Sequence, residues 1–351
     1  MSRTAQNRRT LRADTITLAH GAGGKAMRDL IDDVFVTGFD NDHLAALEDQ
    51  ARFELSELNA MGTRLAMTTD SYVVDPLFFP GGDIGKLAVT GTVNDLAVGG
   101  AKPLYLSCGM IIEEGLPVED LKRIVTSMKA TADAAGVAIV TGDTKVVHKG
   151  STDKLFINTT GIGVIPSHIN IAAHRAQPGD IILINGFVGD HGAAIVDARG
   201  EMALENTIDS DCQTLNELID VMLKVCPDIK CMRDATRGGI ATVLNEFAES
   251  SNVGITLSES GLPVRSEVRG MCEILGLDPL YLANEGKVVA VVPSNQADTL
   301  LNAMQKHPAG EHSAIIGQVV AKPGGRVILQ TEFGGERIVD MLVGEQLPRI
   351  C

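Results

Sequence analysis

Glu119 to Ala135, then Gly136, then Val137-Ala138-Ile139-Val140-Thr141-Gly142-Asp143-Thr144-Lys145 is the stretch on which the fold class turns. Leu121, Ile124, Val125, Met128, Ala132 and Ala135 recur at three- and four-residue steps, which places them on one face of an α-helix. Gly136 ends that helix, and the short apolar run after it reads as a buried strand. Helix followed by buried strand is half of an α/β unit, and the pattern extends outward from it. Upstream, Arg64-Leu65-Ala66-Met67-Thr68-Thr69-Asp70 reads as a strand ending at an acid. Gly85 to Val98 reads as a helix interrupted at Gly91. Downstream, Leu155 to Val164 reads as a strand whose Gly161 and Gly163 suggest close backbone approach.

A second unit begins at Asp180-Ile181-Ile182-Leu183-Ile184-Asn185, a strand. Helices are predicted over Cys212 to Val225, Ile240 to Ala248 and Gln296 to Lys306, and strands over Lys287 to Pro293, Ala314 to Gln318 and Val327 to Leu329. Between the units, Pro166 to Pro178 is a linker bracketed by prolines. The expected division is a loose extension (1–14), a first α/β domain (15–165), the linker (166–178), a second α/β domain (179–337) and a mobile tail (338–351) ending in Cys351. No fixed-period repeat appears, which excludes a solenoid.

Composition narrows the function classes. With 351 residues and 44% hydrophobic residues the chain can build two real cores, and with aromatics at 3% aliphatic side chains must fill them. The net charge of −15 argues against nucleic acid or an anionic membrane as partner. An anionic small ligand remains open, held by backbone N–H groups, a few basic side chains or bridging Mg²⁺. No apolar run is long enough to span a membrane, and Met1 to Asp14 is polar, unlike a secretory signal. The six cysteines form no CxxC pair, which suits reduced thiols in the cytoplasm.

Several short motifs could carry chemistry. His20-Gly21-Ala22-Gly23-Gly24-Lys25 is a basic glycine-rich loop able to wrap an anion, though an ordinary turn reads the same way. Asp70, Asp83, Asp95 and Asp143 sit at junctions beside Gly, Asn and Thr, as oxygen ligands of Mg²⁺ do; singly, each also fits a cap or turn. Arg233-Asp234-Ala235-Thr236-Arg237-Gly238-Gly239 leads into a helix and could bind an anion there. Asn284-Glu285-Gly286 places a carboxylate where an apolar strand begins, as a general base or a solvated turn residue. The chain ends in Pro348-Arg349-Ile350-Cys351; a thiol on an arm suits a carrier that visits several sites, and a frayed end whose last residue happens to be Cys reads the same way.

Taken in order, Thr69-Asp70-Ser71, Gly91-Thr92-Val93-Asn94-Asp95-Leu96-Ala97, Thr141 to Lys145, Arg233 to Gly239 and Asn284-Glu285-Gly286 resemble the ATP-dependent superfamily of aminoimidazole ribonucleotide synthetase, selenophosphate synthetase and thiamine-monophosphate kinase. With the His20 loop and the Pro348–Cys351 ending, residues 15 to 351 resemble the HypE carbamoyl dehydratases of [NiFe]-hydrogenase maturation. The resemblance implies two α/β domains, the first binding ATP and dimerising through a β-barrel. It implies that Cys351 receives a carbamoyl group from the carbamoyltransferase HypF. ATP then drives dehydration to a thiocyanate, and the cyanide passes to iron on a HypC–HypD complex. In that scheme Cys351, Glu285 and Lys145 are catalytic. Asp70, Asp83, Asp95 and Asp143 hold Mg²⁺. His20, Gly23, Gly24, Lys25, Asp70, Asn94, Gly142, Thr144, Arg233, Asp234 and Thr236 surround ATP. Two other readings stand beside it: a small-molecule kinase of the same superfamily, for which Cys351 is dispensable, and a nucleotide-binding scaffold without chemistry.

Overall fold

The computed structural model describes residues 10–45, 50–200, 208–342, 344, 347 and 349–351; residues 1–9 of the expected extension and Pro348 of the expected arm lie outside these. The first unit is a four-stranded sheet. Its strands are β1 (Arg64–Tyr72), β2 (Lys102–Glu113), β3 (Ala138–Val147) and β4 (Leu155–Ile165), in the order β1-β4-β2-β3. The β1–β4 and β4–β2 pairs are antiparallel and β2–β3 is parallel, so β1 and β3 are the two edges. Helices α1 (Ile84–Val98) and α2 (Val118–Ala135) cover one face. The other face leaves Leu65 and Met67 of β1 and Ile111 of β2 exposed. Asp14, assigned by sequence to the extension, already accepts a hydrogen bond from Val118 N at the start of α2.

The second unit is a seven-stranded sheet. It contains β5 (Ile181–Ile184), β6 (Cys231–Asp234), β7 (Gly254–Ser258), β8 (Val288–Val292), β9 (Ala314–Val320), β10 (Arg326–Gln330) and β11 (Glu336–Val339), in the order β11-β10-β7-β9-β5-β8-β6. All pairs are antiparallel except β10–β7. Helices α3 (Asp190–Ala198), α4 (Asn216–Val225), α5 (Gly239–Ser251), α6 (Ser266–Leu275) and α7 (Ser294–Met304) pack on it. The strand β8, flanked by β5 and the edge strand β6, is buried at every residue, which is why its sequence is a continuous Val/Ala run without alternation.

Helix α1 joins the two units. Ile84, Leu87, Ala88, Val89 and Val93 belong to the first core, whereas Ala97 and Val98 belong to a core of the second. A helix covered on all sides is apolar all round. Gly91 does not interrupt it: a Cβ there would collide with the Tyr72 phenol, so the glycine admits that ring at close range.

Other expectations shift for physical reasons. The strand expected over Val137–Thr141 continues to Val147, because β2 keeps pairing with it through Gly142-Asp143-Thr144-Lys145. The helix expected from Cys212 begins at Asn216, because Cys212 N donates to Ser210 Oγ and Leu215 N to Asn94 Oδ1. Ile338 and Val339, expected in the tail, pair with Ile328 and Val327 in β11, and Val339 is fully buried.

Candidate functional site

The domain interface gathers acids from both sides. From the first domain, Asp70 lies near the end of β1 and Asp95 in α1, where Thr68 Oγ1 donates to Asp95 Oδ2 at 2.9 Å. From the second, β6 ends at Asp234. Arg237 follows on a turn that only glycine follows readily, since Gly238 and Gly239 take φ +76° and +60°. Arg237 Nη2 reaches Asp70 Oδ1 at 3.9 Å across the interface, and Arg233 pairs with Glu246 at 2.6 Å. Burial, then the charges of Asp95 and Asp70, push the Asp234 carboxyl up to about 7. Burial also raises Asp95, against the hydrogen bond from Thr68 and with the push of Asp70.

Asp70, Asp95 and Asp234 therefore offer hard oxygen donors whose mutual repulsion a dication would relieve, so the set fits Mg²⁺. Among the described residues no group of three His, Cys, Asp or Glu side chains stands so that it could hold a metal ion by itself.

A chain of hydroxyls backs this wall. Thr159 Oγ1 donates to Ala88 O at 2.9 Å, so it must accept from Thr92 Oγ1 at 2.5 Å, which in turn accepts from Tyr72 Oη at 3.3 Å. Burial, followed by the charge of Asp70, raises the Tyr72 phenol well above its ordinary value, so Tyr72 stays a neutral donor.

The floor is the turn Asn284-Glu285-Gly286-Lys287. Asp211 Oδ1 accepts from Glu285 N at 3.0 Å, and Oδ2 accepts from Gly286 N at 3.2 Å and from Lys287 Nζ at 2.8 Å. Burial would raise the Asp211 carboxyl, but the charge and hydrogen bond of Lys287, the Glu285 amide and His191 together outweigh it and hold the group below its ordinary value. Glu285 itself is 2% exposed, and its Oε1 has no hydrogen-bond partner. Burial, followed by the charges of Asp211, Asp234 and Asp70, raises it well above the carboxylate range. An unpartnered buried carboxyl of high proton affinity is what proton transfer requires.

Cys351 arrives at this region on a docked segment. Val73 N donates to Cys351 O at 3.1 Å and Asp75 N to Arg349 O at 3.4 Å, so the segment runs antiparallel to the chain leaving β1. Cys351 is 9% exposed and joins the apolar cluster that holds Tyr72, Cys212 and Ala283. The expected mobile arm thus rests inside the protein in this structure, because β-type pairing and apolar burial of Ile350 are available to it.

The remaining expected residues divide into three groups. Asn94 is buried, with Nδ2 donating to Gln213 O (3.1 Å) and Glu285 O (3.5 Å) and Oδ1 accepting from Leu215 N, so its amide ties α1 to the second domain. Asp83, expected beside Mg²⁺, caps α1: Oδ1 accepts from Gly85 N at 2.7 Å and Lys86 N at 3.1 Å. Thr236 O accepts from Gly239 N in the turn before α5. Gly142, Asp143, Thr144 and Lys145 lie on β3, the edge opposite Asp70, about 15 Å away at three strand spacings. There Lys145 pairs with Asp143 at 2.5 Å, both largely exposed, and residues 142–144 line a cavity of about 260 Å³ with Met27, Phe35 and Phe39. His20 is buried beside β3, while Gly23, Gly24 and Lys25 are exposed. Within one protomer the structure therefore brings together Asp70, Asp95, Asp234, Glu285 and the Cys351 segment, and leaves the His20 loop and Lys145 apart.

His191, Asp211 and Tyr72 were not singled out by sequence. Each is a lone residue without spacing, and its role arises from contacts across long chain distances; His191 meets residue 350.

Comparisons with known proteins show which sequences and folds the chain resembles. Residues 47–165 match the AIR synthase related protein N-terminal domain, and residues 177–330 match the corresponding C-terminal domain. The chain is 55% identical over 341 residues to "Carbamoyl dehydratase HypE" of Rhodobacter capsulatus, covering 97% of this chain and 99% of that protein. It superposes with a TM-score of 0.90 on the crystal structure of a hydrogenase maturation protein HypE in complex with ATP, at 49% identity, covering 96% of this chain and 100% of the other. A HypE–HypF complex gives a TM-score of 0.77 at 50% identity over 89% of this chain and 99% of the other.

Proposed function

The chain belongs to the AIR synthase related proteins and, within them, to the carbamoyl dehydratase HypE family, and we propose that it converts a carbamoyl group carried on Cys351 into a thiocyanate at the expense of ATP. The observation that carries this reading is the docking of the Cys351 segment into the cluster beside the turn that holds Glu285 and its unpartnered Oε1.

In the thiocarbamate S–C(=O)–NH₂ the oxygen is a poor leaving group. The carbamoyl oxygen attacks the γ-phosphorus of ATP; an O–P bond forms and the bond to the β-phosphate oxygen breaks, releasing ADP. The C–O bond then breaks with its electron pair on phosphate, one N–H proton passes to Glu285 and the other to the departing phosphate, and S–C≡N remains on Cys351. Glu285 takes a proton from nitrogen, its raised proton affinity making its carboxylate a strong base once deprotonated. Lys145 stabilises charge on the reacting oxygen. Asp70 and Asp95, with Asp234 facing them, would hold Mg²⁺, which when bound would neutralise charge on the phosphate oxygens. Arg233 and Thr236 line the second-domain side, and His20, Gly23, Gly24 and Lys25 close over the phosphates.

The separation of the β1 and β3 edges supports a site shared between two protomers. In a homodimer whose sheets join edge to edge, the Gly142–Lys145 edge of one protomer lies beside the Asp70 edge of the other. The exposed face of Leu65, Met67 and Ile111 supports that assembly, since isolated proteins seldom leave such sheet faces open. Partners follow from the same reading: HypF as carbamoyl donor, a HypC–HypD complex as cyanide acceptor. The place of action is the cytoplasm. Among the described residues no helix is long and apolar enough to cross a membrane.

The test incubates the protein with carbamoyl phosphate, ATP, Mg²⁺ and HypF and measures intact and peptide masses. A carbamoyl adduct on Cys351 that loses water only with ATP is expected. Glu285→Gln should load the carbamoyl group and stall there. Normal dehydration by that variant removes Glu285 from the mechanism, and no adduct under any condition removes the carrier.

A further inference from the structure

His191 sits in α3, fully buried, with its ring edge-on to Phe79. Its Nε2 lies 2.7 Å from Ile350 O and its Nδ1 lies 2.8 Å from Ser210 Oγ. A carbonyl oxygen can only accept, so Nε2 carries the proton and Nδ1 accepts from the Ser210 hydroxyl. Ser210 Oγ in turn accepts from Cys212 N at 3.1 Å, which leaves its own proton for His191. Burial lowers the His191 pKa, although Asp211 and the Ile350 carbonyl pull the other way, so the ring is neutral and the donor direction is fixed. About two turns further on, at the C-cap of the same helix, Arg199 Nη2 donates to Arg349 O at 2.9 Å while its Nε donates to Asp75 O at 3.0 Å. Two side chains of one helix therefore read two consecutive main-chain carbonyls of the docked segment. Val73 N reads the next, on Cys351.

We propose that His191 and Arg199 are positioning residues that clamp the main chain of residues 349–350 and so set the register of Cys351 beside Glu285. The clamp addresses carbonyls that are the same whether the thiol is free, carbamoylated or cyanated. It holds each state of the carrier alike, and departure of the segment is governed by competition for its main chain. This inference rests on the carrier reading for its purpose, but its geometry does not.

The test reads the exposure of Cys351 by its reaction with a coloured nitrobenzoate disulfide, which needs no catalysis. The other five cysteines are buried, and burial pushes Cys108 up to about 12 and Cys231 and Cys272 up to about 11, so they react slowly. His191→Phe keeps a ring against Phe79 but removes the donor. The Cys351 reaction should quicken about tenfold, the worth of one buried hydrogen bond in an undocking equilibrium. His191→Gln places an amide N–H near the Nε2 position and should restore most of the protection. In single-turnover dehydration of protein already carbamoylated, His191→Phe should slow the step while loading by HypF is unimpaired. Should His191→Phe fail to fold, Arg199→Met carries the same test and should also quicken the thiol reaction. Unchanged thiol kinetics in these variants overturn the proposal, as does equal exposure in His191→Phe and His191→Gln, which would make the ring a packing element only. If Cys351 never accepts a carbamoyl group but the thiol kinetics shift as stated, the clamp stands and the carrier reading falls.

Discussion

Replacing Asp211 by Asn should cost the protein about 3–5 kcal/mol at neutral pH. The side chains of Asp211 and Lys287 are 3% and 5% exposed, and the ammonium lies 2.8 Å from Oδ2. Asn keeps the shape but removes the charge, which leaves the Lys287 ammonium buried without its counter-ion. The pH dependence follows from Asp211 itself: its carboxyl is held below the ordinary value in the fold, so the stability it contributes is present above that value and is lost as pH falls through it, and the difference between parent and variant should shrink towards acid. The double variant Asp211→Asn/Lys287→Met has no buried charge and should recover most of the loss. Urea unfolding followed by circular dichroism at neutral and at acid pH measures all three quantities. A loss below about 1 kcal/mol that does not change with pH would show a pair screened by solvent and refute the reasoning. Because Asp211 also holds the amides of Glu285 and Gly286, dehydration should fall even where the fold survives.

Three further outcomes follow from the structure. The Asp234 carboxyl binds its proton more tightly folded than unfolded, so between the ordinary carboxylate value and about 7 its contribution to stability falls as pH rises. In chelator, Asp234→Asn should therefore gain in thermal midpoint relative to the parent between pH 5 and pH 8, and a constant difference would exclude the carboxylate cluster. Gly91→Ala, which would usually help a helix, should instead destabilise by about 1–3 kcal/mol because its methyl displaces Tyr72; a more stable variant in urea unfolding contradicts the close approach. Met67 is 74% exposed on the open sheet face, so Met67→Glu should shift sedimentation from dimer to monomer with little change in circular dichroism, and a parent that sediments as a monomer rejects the assembly.

What could be read before folding was local. The three- and four-residue apolar steps of α2 and its stop at Gly136 stand where expected. So does the buried run of β8. The ordered motifs were enough to place the chain in its family. The strand β2 escaped because Ile111 puts an apolar side chain on its open face as well, which blurs the alternation, and because Pro103 and Gly109 punctuate it. The helices α3 and α6 escaped because their apolar positions are mixed with Gly, Asp and Glu.

The sequence by itself determined which residues carry hard oxygen donors, a buried-strand carboxylate and a thiol, because those are properties of residue type and neighbouring turns. Only the tertiary structure decided which of them meet. It placed Asp234 with Asp70 and Asp95, spent Asp83 on a helix cap and Asn94 on the domain junction, and put Lys145 on the far edge of the sheet. It also drew His191 and Arg199 onto the carbonyls of residues 350 and 349. The physical reason is the same in each case. Hydrogen bonds and desolvation depend on what folding brings within about 3 Å, and a sequence pattern records only what lies a few residues away.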